Sequence, residues 1–156
     1  MSKDFQKSTL IIGYGNLLRS DDGIGQYIAK AILAWEVPYI KVICTHQLQP
    51  EIAENLSTVS YAIFIDAYLA HRNKRTLIYP VFTDFTRNHS SHWCTPQSLL
   101  TITYKIYNYY PRSWIVKVPG INFSIGETLS LTSKQGFKVA LQRIHSLVQS
   151  KIIDYA

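Results

Sequence analysis

The chain has 156 residues and a formal net charge of +6, a length that suits one domain with a core needing no disulfide or metal staple. An apolar fraction of 47% against 17% charged residues excludes a disordered chain, and no apolar run reaches the roughly 20 residues of a membrane span. The positive charge is scattered, its densest cluster running from His71 to Arg75. It lacks the interleaving of basic and aromatic residues that a nucleic-acid surface uses, so neither a nucleic-acid nor a membrane partner is expected.

The segment from Met1 to Leu10 mixes charges and has no apolar stretch of the signal-peptide kind, which predicts a cytoplasmic location. STLIIGYG (8–15) is a short apolar run closed by glycines and reads as a buried strand. From Asp22 to Trp35 the residues Ile24, Tyr27, Ile28, Ala31, Ile32 and Trp35 recur at helical spacing, and Pro38 stops that helix. YIKVICTHQL (39–48) is β-branched and strand-like, and QPEIAENLS (49–57), with Pro50 near a first helical position, reads as a short helix. YAIFIDAYL (61–69) is another buried strand. RTLIYPVF (75–82) follows a connector too short for a crossover helix, which predicts a hairpin strand antiparallel to its predecessor.

TDFTRNHSSHWCTP (83–96) is a polar loop of a length that carries function or disorder. Thr95-Pro96 opens a helix through about Tyr109, SWIVKV (113–118) is a strand, and 119–131 is irregular. The closing helix, 132–152, presents Phe137, Ala140, Leu141, Ile144, Leu147 and Val148 on one face. This order predicts a single domain over 1–156: a three-layer α/β/α sandwich around a mostly parallel five-stranded sheet with one antiparallel strand. Cys44 and Cys94, far apart and outside any CxxC, read as structural thiols.

Ligands of such folds bind beyond the carboxyl ends of the strands. Asp21 and Asp22 follow the first strand there, Thr45, His46 and Gln47 end the second, Asp66 ends AIFID, and His89 and His92 lie on the long loop. GYGNLLRSDDGIG breaks the dinucleotide fingerprint: Leu18 takes the third glycine's place, and two carboxylates repel a pyrophosphate at the helix start. Helix capping accounts for one carboxylate, Asp21, and leaves Asp22 for a ligand. Taken singly, Asp66 can tie down a turn and His92 can be an ordinary loop histidine. Together, Asp22, Asp66 and His92 make an oxygen-and-nitrogen set for a divalent transition ion, with positions left open for a substrate. There is no GxSxG elbow and no HExxH. Cys94 beside His92 has no third group to orient a nucleophilic pair.

GYGNLLRSDDGIG, THQLQPEIAENL, AIFIDA, SSHWCTPQSLL and VPGINFSIGETLS, in that order and over nearly the whole chain, resemble the nickel-iron hydrogenase maturation endopeptidases. The similarity is strongest to the branch serving bidirectional, NAD(P)-linked hydrogenases, common in cyanobacteria. The resemblance implies an enzyme that cuts a C-terminal extension from the hydrogenase large-subunit precursor after nickel insertion. It implies that Asp22, Asp66 and His92 are the metal-engaging and catalytic trio, with Asp22 where many relatives have Glu. Many relatives also have an Asp-Gly-Gly-Thr-like loop after the second strand. Thr45-His46-Gln47-Leu48 stands there instead, which marks the bidirectional branch and makes Thr45, His46 and Gln47 the substrate-specificity residues. Nickel supplied by the substrate is the implied metal, with no tightly bound organic cofactor, and a monomer is expected. Two alternatives remain: a metal-sensing chaperone for the large subunit that does not cut, and an endopeptidase of the same fold with another client.

Overall fold

The computed structural model describes residues 8–86 and 94–153, with side chains to residue 150. In chain order it has β1 (Thr9–Tyr14), a 3-10 turn (Ser20–Gly23), α1 (Ile24–Leu33), β2 (Ile40–Thr45), α2 (Ile52–Leu56), β3 (Tyr61–Leu69), β4 (Leu77–Val81), α3 (Pro96–Tyr107), β5 (Arg112–Gly120) and α4 (Leu131–Ile153). The sheet order is β2-β1-β3-β5-β4, parallel except for the β4–β5 pair.

Period-2 alternation in the strands sorts the core into two layers. Leu10, Ile12, Ala62, Phe64 and Ile115 face α2 and α3 through Ile52, Leu56, Leu99 and Leu100. Ile11, Ile63, Ile65, Val116 and Val118 face α1 and α4 through Ile24, Ile28, Ile32, Ala140, Ile144 and Val148. This is the expected α/β/α sandwich. Among the described residues no helix is long and apolar enough to cross a membrane.

The hairpin expected between β3 and β4 does not form: β4 pairs with β5, which arrives later in the chain and lies between them. The reason is burial. β3 and β5 share a parallel ladder from Tyr61↔Arg112 to Leu69↔Gly120, and both are mostly buried. β4 exposes Leu77, Tyr79 and Pro80, and Pro80 has no N–H to give a second neighbour, so β4 belongs at an edge. The first helix also ends earlier than its pattern suggests. It stops at Leu33, and Glu36 takes a left-handed conformation (φ 53°) before Pro38 is reached. Trp35 instead packs its ring edge-on to His145 of α4, 5.5 Å between centroids. At α3 the sequence signals hold. Thr95 and Ser98 form a reciprocal capping box with Pro96 in the first turn, and Asn108 closes the helix in the left-handed region.

Close approach of α1 to the sheet depends on Gly25. A Cβ there would lie 2.7 Å from the Tyr14 carbonyl oxygen and closer still to that of Ile65. In an ordinary helix Gly→Ala stabilises by about 1 kcal/mol. Here Gly25→Ala is expected to destabilise by about 2–3 kcal/mol, because the obstacle is backbone. Thermal or urea unfolding of the variant checks the sign.

Candidate active site

The chain leaves β1 through α1 to reach β2 on one side, and returns through α2 to β3 on the other. The gap beyond the carboxyl ends of β1 and β3 is therefore the topological switch point, where open α/β sheets hold their ligands. Gly15 shapes the loop that enters it. Its φ is +140°, and a side chain would collide with the Asp22 carbonyl. Its N–H is shared between the carbonyls of Thr45 and His46, 3.2 and 3.1 Å away, and its carbonyl accepts from Gln26 Nε2 at 2.7 Å. The end of β2 is thus tied to the first loop. The Thr45 hydroxyl donates to the Gln47 carbonyl at 3.0 Å, while His46 and Gln47 are exposed.

The two adjacent carboxylates divide their tasks. Asp21 does not cap α1, whose N-cap is Gly23 with no side-chain hydrogen bond. It is fully buried and reaches across to the loop after β5. Its Oδ2 accepts from Ile121 N (2.8 Å), Asn122 N (3.0 Å) and Ser130 Oγ (2.7 Å), and its Oδ1 from Ser130 N (2.8 Å). Burial by itself would raise its carboxyl, but these bonds, led by those from Ser130 and Ile121, hold it below the ordinary range. Backbone bonds from Ser20 N to Gly126 O and from Gly126 N to Leu18 O continue the seam. The irregular stretch 121–130 is therefore the strap that holds the first loop in shape.

Asp22 faces a different environment. Among the described residues its carboxylate accepts one hydrogen bond, from Asn16 N to Oδ2 at 2.8 Å, which leaves Oδ1 unengaged. The turn that carries it packs against β3.

Asp66 lies within β3 rather than at its end: the strand continues to Leu69. The β1 ladder, however, ends at Gly13↔Ile65, so Asp66 is the first β3 residue past that ladder, at the switch point. It shares the α2/α3 face with Tyr14, and β5 places Lys117 in register beside it. Lys117 Nζ donates to Asp66 Oδ2 at 2.9 Å, and the Tyr14 phenol lies near the same carboxylate. Burial holds the Asp66 carboxyl above its ordinary value, and Lys117 first, then Tyr14, offset only part of that rise. Burial first, then the Asp66 charge, push the Tyr14 phenol up, so it stays a donor. Lys117 and Tyr14 were not among the residues expected from the sequence. The signal for Lys117 is present there: it is the one charge inside the apolar run SWIVKV.

His92 and His89 lie outside the described residues. Cys94, the first described residue after them, packs against the α2/α3-side core beside Tyr14. Neither cysteine is in a disulfide. Among the described residues no group of three or more His, Cys, Asp or Glu is arranged to hold a metal ion. Asp22 and Asp66 place carboxylates toward the same edge of the sheet, on the turn after β1 and on β3.

No family model matches the sequence, and no curated protein matches it. Solved structures do. The hydrogenase maturating endopeptidase HybD from E. coli superposes with a TM-score of 0.72 at 20% identity, over 92% of this chain and 93% of that one. The [NiFe] hydrogenase maturation protease HycI from Thermococcus kodakarensis KOD1 gives 0.72 at 14%, over 92% and 93%. A hydrogenase 2 maturation peptidase from Thaumarchaeota archaeon SCGC_AB-539-E09 gives 0.66 at 16%, over 91% and 98%. Spanning nine-tenths of each chain, the likeness establishes that this protein has the fold of the hydrogenase maturation proteases.

Proposed function

We propose that the chain is an endopeptidase that removes the C-terminal extension of a nickel-iron hydrogenase large-subunit precursor, with the nickel already held by the precursor as its recognition mark. The bidirectional, NAD(P)-linked type is the client we favour. The observation that carries this reading is the meeting of Asp22's turn with Asp66's strand at the switch point, on a fold shared with proteases of that kind. Asp22 and Asp66, with His92, supply the hard and borderline donors that engage a partly coordinated divalent ion. Such an ion positions the segment to be cut and polarises a carbonyl held against it. Asp22, with Oδ1 unengaged among the described residues, is the carboxylate placed to take a proton from the attacking water. Asp66, held by Lys117, is the fixed donor. A net charge of +6 favours capture of a client with an acidic face.

The test is the mass of the large subunit after incubation of purified precursor, with and without nickel, with this protein. Cleavage confined to the nickel-loaded precursor is expected. An unshortened nickel-loaded precursor, or equal cleavage of the nickel-free one, refutes the reading.

The loop after β2 carries the proposed client discrimination. His46 and Gln47 are exposed beside the first loop, where they offer donors and acceptors that a Gly-Gly pair lacks. Replacing His46-Gln47 by Gly-Gly is expected to change the ratio of cognate to noncognate processing by about tenfold or more, with little change in unfolding midpoint. An unchanged ratio in parallel assays with two hydrogenase precursors removes these residues from specificity.

A further inference from the structure

The pairing of Asp66 raises a difficulty for any ion that must reach it. Lys117 Nζ already occupies Oδ2 at 2.9 Å, with both side chains about one-quarter exposed or less (24% and 21%). The arrangement is not an accident of a flexible surface. Asp66 and Lys117 are register neighbours on parallel strands buried on both sides, so the ammonium cannot drift far from the carboxylate. A divalent ion entering here must displace a covalently tethered cation or share the carboxylate with it, and like charges at such range repel. The geometry points to Lys117 as a built-in counter-cation: it holds the Asp66 carboxylate in position and keeps the resting site from taking up free divalent ions. The site then opens to an ion only when a client presents it, bringing further contacts that offset the displacement of the ammonium. Lys117 is on this view a positioning residue that makes the site selective for ions delivered by a partner. The inference rests on the proposed role of Asp66 as a ligand to the client's ion.

It is tested without a client. The full chain is titrated calorimetrically with nickel chloride alone at one fixed pH, as wild type, Lys117→Met, Lys117→Arg, Asp66→Asn, and Lys117→Met combined with Asp66→Asn. Thermal unfolding confirms that each variant is folded. Lys117→Met is expected to bind nickel more tightly by a factor on the order of ten. Lys117→Arg keeps the charge and should stay within about twofold of wild type. The double variant should lose the gain. A purely structural role for Lys117 would not tighten metal binding, so the gain separates the two. Equal affinity in wild type and Lys117→Met, including undetectable binding in both, overturns the proposal. So does a gain that survives in the double variant, since the lysine would then act through general charge. Failure here is distinguishable from failure of the ligand reading: precursor cleavage that is unaffected in Asp66→Asn refutes the latter, whatever the nickel titration shows.

Discussion

Asp22→Asn and Asp66→Asn are each expected to remain folded and to lose more than about a hundredfold of cleavage of nickel-loaded precursor. Changes that only reorient metal ligands already cost about 10–100-fold, and replacing a carboxylate by an amide removes the charge that attracts the ion. The cost in stability should be modest for both, for different reasons. Among the described residues Asp22 accepts one backbone hydrogen bond, which an amide oxygen can replace. Asp66→Asn keeps an oxygen for Lys117, and the ion pair it weakens is neither fully exposed nor fully buried, so its loss should cost about 1–2 kcal/mol, between the two limits. His92→Ala removes a nitrogen donor outright and is expected to behave likewise in the same assay. The rate of large-subunit shortening, followed by mass, is set against the unfolding midpoint of each variant. If activity falls only in proportion to lost stability, the carboxylates are structural. Full activity in a folded Asp22→Asn variant would remove it from the chemistry.

The sheet's interior was legible in the sequence because burial there is dictated by simple periods. Ile24, Ile28 and Ile32 lie one turn apart and face the sheet together, and the run from Ala62 to Ile65 is apolar throughout because it is buried on both faces. What failed depended on partners distant in the chain. β4 reads as a hairpin strand when only its short connector is considered. Its place is set by β5, some thirty residues later, which takes the buried position beside β3. Asp66 and Lys117 are 51 positions apart, and only the β3–β5 register brings them together. A lone lysine in an apolar strand signals that some partner exists, not which one. AIFID reads as the end of a strand and so puts Asp66 at an edge, whereas β3 runs on to Leu69; what brings it near the turn of Asp22 is that turn's packing against β3, which the sequence does not spell out. The division of labour between Asp21 and Asp22 was not legible either, because it is decided by a strap about a hundred residues away (Ile121 N to Asp21 Oδ2 spans 100).

That division gives the largest expected effect on stability. Asp21 is fully buried, and its removal strands three backbone N–H groups, of Ile121, Asn122 and Ser130, together with the Ser130 hydroxyl. A hydrogen bond to a charged acceptor is worth about 1.5–3 kcal/mol, and donors left without one cost more than the bond's net value. The strap can loosen and let water reach some of them, which caps the loss. Asp21→Ala is therefore expected to destabilise by about 3 kcal/mol or more, a fall in unfolding midpoint of about 6–12 °C for a chain of this size. Asp21→Asn should fall between, since its amide keeps one acceptor but turns a donor toward the N–H groups that faced the other oxygen. The pH dependence follows from the direction of the shift. The folded carboxyl titrates below its ordinary value of 3.8, so its contribution is fully present above that value and is lost as pH falls through the lower, folded one. The gap in midpoint between wild type and Asp21→Ala should accordingly hold steady from neutral pH down to about 4 and narrow below it. Asp22→Asn, one residue away, should not show the fall. An Asp21→Ala variant as stable as wild type, or a gap that widens in acid, would show that the strap is not held by this carboxylate. If Asp21→Ala instead stayed stable and lost cleavage, Asp21 would have to be moved into the metal-engaging set beside Asp22.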